Sequence, residues 1–179
     1  VREFWVGRNE STDAERQEVQ AAAAERVGAM GEAELLRAGA LIYWCEGTKS
    51  KPWSGKSEQV QFTNSDPGLI ALFLRFLAAA EVPPENRRFR LAIHESADVE
   101  AALRWWADFV GVEPSSFQKT TLKRHNPVTN RRNTAETYRG CLVVSVVKGR
   151  QLYWLIEGVV MATFGDNGSS GTGGNHFAS

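Results

Sequence analysis

The chain has 179 residues, of which 42% are hydrophobic and 23% charged, values typical of a globular protein with one sizeable core. The formal net charge is zero, so the average charge does not indicate a nucleic-acid or membrane partner. No apolar stretch reaches the about 18 residues that a membrane-spanning helix needs, and no secretory signal begins the sequence, so we expect a cytoplasmic protein.

The charges are unevenly distributed along the chain. Residues 1–46 hold five Arg against nine Asp and Glu, a balance of −4. Residues 116–150 hold eight Lys and Arg against Glu136 alone, a balance of +7. A basic segment of this kind is informative about partners rather than about the fold, and it favours a nucleic acid.

The two cysteines, Cys45 and Cys141, both lie in apolar runs. Such surroundings, in a reducing compartment, favour buried free thiols over a disulfide bond. The Cys and His residues do not have the spacing of a zinc site.

In chain order, the first predicted element is a helix over residues 13–27, preceded by the capping-box pair Thr12 and Glu15. The glycines of residues 28–31 interrupt the pattern. Because the helix is only weakly amphipathic, we expect residues 1–31 to form an N-terminal arm and helix outside the main domain.

A second helix is predicted over residues 32–46, and it ends on Glu46 followed by Gly47. A carboxylate in the last turn is unfavourable, because the negative end of the helix dipole lies there. A nearby cation should therefore compensate for it. Two alternatives remain open, namely an exposed carboxylate paired with Lys49, or a carboxylate that binds a metal ion.

Three later segments alternate between apolar and polar residues, which predicts half-buried strands over residues 58–63, 87–94 and 117–124. A fourth segment, residues 141–147, is apolar on both faces. Such a strand is expected in the interior of a sheet.

Helices are predicted between these strands. Asp66 and Pro67 form the start of one, with Asp66 as the N-cap and Pro67 in the first position. Ser96 is expected to cap the next helix, which Gly111 ends, and the last helix is predicted over residues 149–163.

The resulting order is α-α-β-α-β-α-β-β-α. It predicts one α+β domain over residues 32–164, with the helices packed on one face of a largely antiparallel sheet. The Gly/Ser-rich tail, residues 165–179, is predicted to be disordered.

If the helices cover one face of the sheet, the polar strand positions lie on the other. These positions are Gln59, Gln61, Thr63, Arg88, Arg90, His94, Lys119, Thr121 and Lys123. Gln and Arg can form paired hydrogen bonds with adenine and guanine edges, and Lys suits phosphates. Arg124 at the end of the third strand and Arg131 and Arg132 of the loop after it also suit phosphates. The alternative is a polar sheet face that simply contacts solvent.

Two segments resemble a known family. The run LRAGALIYWCEGT resembles the signature helix of the LAGLIDADG homing endonucleases, and VQFTNSDPGLIALFLRFL is similar to the strand and second helix of single-motif members. The resemblance covers residues 33–163. It implies two signature helices packed at a twofold axis, a last-turn acid that binds a divalent metal, and saddle-like sheets that recognise the major groove. The family acid is usually Asp, and Leu41 and Cys45 stand at the family's small packing positions.

The resemblance also implies roles for individual residues. Glu46 corresponds to the metal-binding acid, with Mg²⁺ as the expected ion, and Gly47 to the glycine next to that acid. Lys49 and Lys51 would stabilise the charged transition state of phosphodiester hydrolysis. Since one signature helix is present, a homodimer through residues 32–46 is implied.

Three functions remain as hypotheses. The first is a double-stranded DNA-binding protein that cleaves its target with Mg²⁺, as a metal-dependent nuclease. The second keeps the fold and the DNA but lacks the chemistry, as a binding or regulatory module. The third is a protein–protein interaction module.

Overall fold

The computed structural model describes residues 2–48, 60–123 and 138–165, with side chains from residue 12 onward. Within these ranges the chain forms five α-helices: α1 (Arg2–Val27), α2 (Glu32–Glu46), α3 (Pro67–Ala79), α4 (Val99–Val110) and α5 (Arg150–Phe164). The four strands are β1 (Val60–Asn64), β2 (Arg87–His94), β3 (Gln118–Lys123) and β4 (Cys141–Val146). None of the helices in these ranges is long and apolar enough to cross a membrane.

The chain divides into two compact units, one up to Glu34 and one from Leu35 onward. In the first unit, α1 begins at Arg2 and ends at Val27. The predicted end is confirmed, whereas the start predicted from the Thr12–Glu15 capping box is wrong. A helix that is already formed upstream leaves no free amide groups at Thr12 for a cap to satisfy.

The second unit contains a sheet with the strand order β1-β4-β2-β3. Strand β4 is antiparallel to both β1 and β2, so the predicted interior position of this apolar strand is confirmed. Strand β3 is parallel to β2, and the sheet is therefore mixed rather than antiparallel throughout. Helix α4 connects β2 to β3, and a helical crossover of this kind permits parallel pairing.

The strand register defines the two faces of the sheet. On the inner face, Val60 pairs with Val146 and Phe62 with Val144, which also pairs with Phe89 of β2. The inner-face residues form one hydrophobic core with residues of α2, α3, α4 and α5. The predicted α+β class is confirmed.

The caps of α3 and α4 show which local signals were correct. Asp66 caps α3 as predicted, its Oδ1 accepting a hydrogen bond from the Leu69 amide at 3.1 Å. The predicted cap of α4, Ser96, is wrong. Asp98 accepts from the Ala101 amide at 2.9 Å instead, while Ser96 bonds to His94. Gly111 ends α4 in the left-handed conformation, as predicted.

Helix α2 approaches α3 closely at Gly39. A Cβ atom at Gly39 would lie 2.1 Å from Cγ of Phe76, so only glycine fits at this contact. Together with the fully buried Ala40, the small residues of α2 thus pack into the core of the same chain.

Both cysteines are free, as predicted. The predicted burial is wrong for Cys45, which is exposed, while Cys141 is half-buried. Cys45 follows the buried Tyr43 by two positions, about 200° around the helix, so Cys45 lies on the opposite side of α2.

A candidate nucleic-acid interface

The face of the sheet opposite helices α2 to α5 is called the outer face. Its members are defined by the strand register: Gln61 pairs with Ser145, which pairs with Arg88, and Thr63 pairs with Val143. The set that the register gives in the described strands is Gln61, Thr63, Arg88, Arg90, Ala92, His94, Gln118, Thr121, Lys123, Cys141, Val143 and Ser145. The structure therefore places seven of the predicted binding residues, from three strands, on one face: Gln61, Thr63, Arg88, Arg90, His94, Thr121 and Lys123.

All the charged side chains of the four strands, apart from histidine, are positively charged. The four strands contain no Asp or Glu. They carry the basic residues Arg87, Arg88, Arg90, Lys119 and Lys123. A surface that concentrates positive charge without acidic residues attracts polyanions and repels other basic surfaces.

Arg90 occupies the middle of this face. Its Nη1 donates a hydrogen bond to Oγ1 of Thr121 at 2.8 Å, across the β2–β3 pair. The register of the two strands is irregular at this point, between the Arg90–Gln118 and Ala92–Thr121 pairs. Lys119 lies in that irregular stretch and is exposed.

Arg88 lies on the same strand and face as Arg90, but its side chain has different hydrogen-bond partners. Its Nη1 donates to the backbone carbonyl oxygens of Glu85 at 2.6 Å and of Arg87 at 2.9 Å. Arg87, by contrast, belongs to the inner side and donates from Nη2 to the Val82 carbonyl oxygen at 2.7 Å. Burial lowers the pKa of Arg87, partly offset by the charge of Glu85.

His94 lies at the end of β2, opposite Lys123. Its Nδ1 lies 2.7 Å from Oγ of Ser96 and 3.3 Å from the Ser96 amide nitrogen. Because an amide can only donate, Nδ1 accepts the hydrogen bond from the Ser96 amide. These contacts hold the ring of His94 at the end of β2.

The edge of β1 is joined to the end of α2. The Thr48 amide donates to the Gln61 carbonyl oxygen at 3.0 Å, and the Tyr43 hydroxyl donates to the Thr48 carbonyl oxygen at 2.6 Å. This arrangement covers the edge of β1 and brings the turn after Glu46 next to Gln61 of the outer face.

Tyr43 is fully buried, and its environment perturbs the hydroxyl. Burial raises the pKa of Tyr43 to about 12, with a hydrogen bond from the Gln61 backbone lowering it and the nearby Tyr153 raising it. The proton is thus strongly held, and the hydroxyl acts as a hydrogen-bonding link rather than as an acid or base.

The packing of the Tyr43 ring against the turn after α2 requires a glycine at position 47. A Cβ atom at this position would lie 2.5 Å from Cδ2 and Cε2 of the Tyr43 ring. The backbone of Gly47 is not among those with positive φ, so its role is close approach and not a left-handed helix cap. The helix end at this glycine was predicted correctly, but the physical reason for the glycine is different.

Glu46 is exposed at the end of α2, and the last turn contains no basic residue. Among the described residues no group of three or more His, Cys, Asp or Glu side chains could hold a metal ion. A single carboxylate does not make a Mg²⁺ site by itself, since the ion needs further oxygen ligands.

Several predicted site residues lie outside the described ranges: Lys49, Lys51, Gln59, Arg124, Arg131 and Arg132. The sequence, in turn, did not single out Tyr43 or Val143 as parts of the site. The sequence could have indicated Tyr43, because a tyrosine in an apolar helix has a hydroxyl that needs a hydrogen-bond partner when it is buried.

Comparison with protein-family models, characterised proteins and solved structures finds no match to this chain. The geometry of the outer face is consequently the basis for the proposal of a function.

Proposed function

We propose that this chain binds double-stranded DNA through the outer face of its sheet. The observation that carries the proposal is the alignment of Gln61, Arg88, Arg90 and Lys123 on an acid-free face opposite the helices. Arginine and glutamine suit base edges in the major groove, and lysine suits the phosphates. A sheet is one of the elements that enter a DNA groove.

The resemblance to LAGLIDADG proteins supports the same proposal. In that family a saddle-like sheet lies on the duplex, and we propose the same use of this sheet despite the parallel edge strand β3. We further propose that two copies associate through α2, whose side opposite Tyr43 carries Leu41 and Cys45. Light scattering measures the mass of the DNA complex and so tests this association. A mass that corresponds to one chain per duplex would exclude a dimer through α2.

Salt dependence of DNA binding tests the proposal. With about four phosphate contacts, raising the salt concentration from about 50 to about 200 mM should weaken binding of a fluorescent duplex roughly a hundredfold. Lys123→Gln should lower the slope of log K against log salt by about one, because one phosphate contact is lost.

The matched control is Arg75→Gln, which removes a charge from an exposed position of α3 in the helical layer. This variant should keep the slope of the unmodified protein. Absence of binding at the lowest salt concentration would contradict the proposal and favour the protein–protein module.

Mg²⁺-dependent cleavage is the second candidate, and it is favoured by the position of Glu46 beside the turn that is bonded to Gln61. Divalent metal would supply charge neutralisation at the scissile phosphate. If Glu46 holds the ion, Glu46→Gln should abolish nicking of bound DNA at unchanged DNA affinity. Nicking at the original rate in this variant, or nicking without a divalent ion, would exclude the role. A protein that binds but never nicks is the regulatory module.

A further inference from the structure

The guanidinium of Arg90 is held in place before any partner arrives. Its Nη1 donates to Thr121 Oγ1 at 2.8 Å on the exposed side of the sheet. Ordering a long side chain on binding costs free energy, and a side chain that is already ordered avoids most of that cost. Arg90 is therefore better prepared for a directional contact than a freely rotating arginine.

The irregular register of β3 lies beside this hydrogen bond. From the Arg90–Gln118 pair to the Ala92–Thr121 pair, the ladder advances two residues along β2 but three along β3. Such an insertion bends a strand locally and changes the direction of its side chains. The extra residue thus belongs to the geometry that brings Thr121 to Arg90.

The stem of Arg90 is also constrained. Val143 is on the outer face and does not belong to the hydrophobic core, yet it is only 3% exposed. Its two register neighbours are Thr63 and Arg90. We attribute its burial to these neighbours, because the aliphatic part of an arginine covers apolar surface while its charged end remains in water.

Arg88 provides the contrast within the same strand and face. Its Nη1 is engaged by two backbone carbonyl oxygens, those of Glu85 and Arg87, at the start of the strand. The end of Arg88 is consequently bent toward its own backbone. Its charge is available to a phosphate, but its orientation does not favour a base edge in the middle of the face.

We propose that Arg90 recognises a guanine in the major groove and that Thr121 positions it, an inference that rests on the DNA binding proposed above. The bond to Thr121 uses Nη1, so that Nε and Nη2 form a planar edge with two donors. This edge matches O6 and N7 of guanine. Thr121 acts as a positioning residue, since it orients the arginine and does not itself contact the base.

Selection from a duplex library with a randomised segment tests this inference with the full chain. The unmodified protein should enrich guanine at one position by roughly tenfold to a hundredfold over other bases. Arg90→Lys keeps the charge but lacks the planar fork, and should lose that preference while retaining the salt slope. Thr121→Val keeps the β-branched shape and should weaken the preference severalfold.

Arg75→Lys is the matched control, because it makes the same change at an exposed position of α3, outside the outer face. It should leave the selected sequence unchanged. A guanine preference that survives in Arg90→Lys, or DNA binding by the unmodified protein without any base preference, overturns the inference and leaves the proposed DNA binding intact. Failure of the unmodified protein to bind any duplex overturns the proposed function and this inference with it.

Discussion

At the scale of single residues, Tyr43 connects the core to the candidate site. Its ring packs in the core with Phe73, while its hydroxyl donates to the Thr48 carbonyl oxygen. The same ring excludes any side chain larger than glycine at position 47. The turn after Glu46 is thus positioned by a buried aromatic residue.

Tyr43 gives a pH-dependent prediction. The pKa of Tyr43 is about 12 in the folded chain and about 10 in an unfolded one. Because the raised pKa favours the neutral folded form, this contribution to stability is complete below about pH 10. It is lost as the pH rises from about 10 to about 12, where the unfolded chain releases the proton first.

Tyr43→Phe should therefore cost about 1 kcal/mol near neutral pH, the net value of a typical hydrogen bond, and should remove this part of the pH dependence. Urea unfolding of both proteins, repeated between neutral pH and about pH 11, measures the difference directly. The difference between the two free energies of unfolding should shrink as the solution becomes more alkaline. A constant difference would contradict this role of Tyr43.

At the scale of elements, the secondary structure was predictable mainly from the alternation of apolar and polar residues in strands and from the residues that cap helices. The strands β1 and β2 were predictable because Val60, Phe62, Phe89 and Leu91 alternate with polar residues, and β4 because it is apolar on both faces. The start of α3 was predictable because a proline follows a capping aspartate at Asp66.

Other features of the elements depend on tertiary contacts and could not be predicted. Ser96 and Asp98 are both good caps, and the choice between them was decided by the hydrogen bond of Ser96 to His94. The parallel direction of β3 and its extra residue beside Arg90 arise from pairing with β2, a contact far away in sequence. Alternation within one strand shows which side chains face the core, but not which strand lies beside it or in which direction that strand runs.

At the scale of the whole molecule, uneven charge matters more than net charge. The formal net charge is zero, yet the strands have basic and no acidic side chains. The outer-face set was largely predictable, because residues of one face recur at every second position. The specific partners of Arg88 and Arg90 were not, and these contacts distinguish two arginines that look equivalent in the sequence.

The central claim is that DNA lies on the outer face, and nitrogen-15 NMR tests it most directly. The Nε–H signals of arginine side chains can be followed in the labelled protein while duplex DNA is added. Arg88 and Arg90 should shift, whereas Arg75 of α3 and Arg104, which pairs with Glu100 on α4, should not. Shifts confined to Arg75 and Arg104, or no shift at Arg88 and Arg90 when DNA is bound, would contradict the claim.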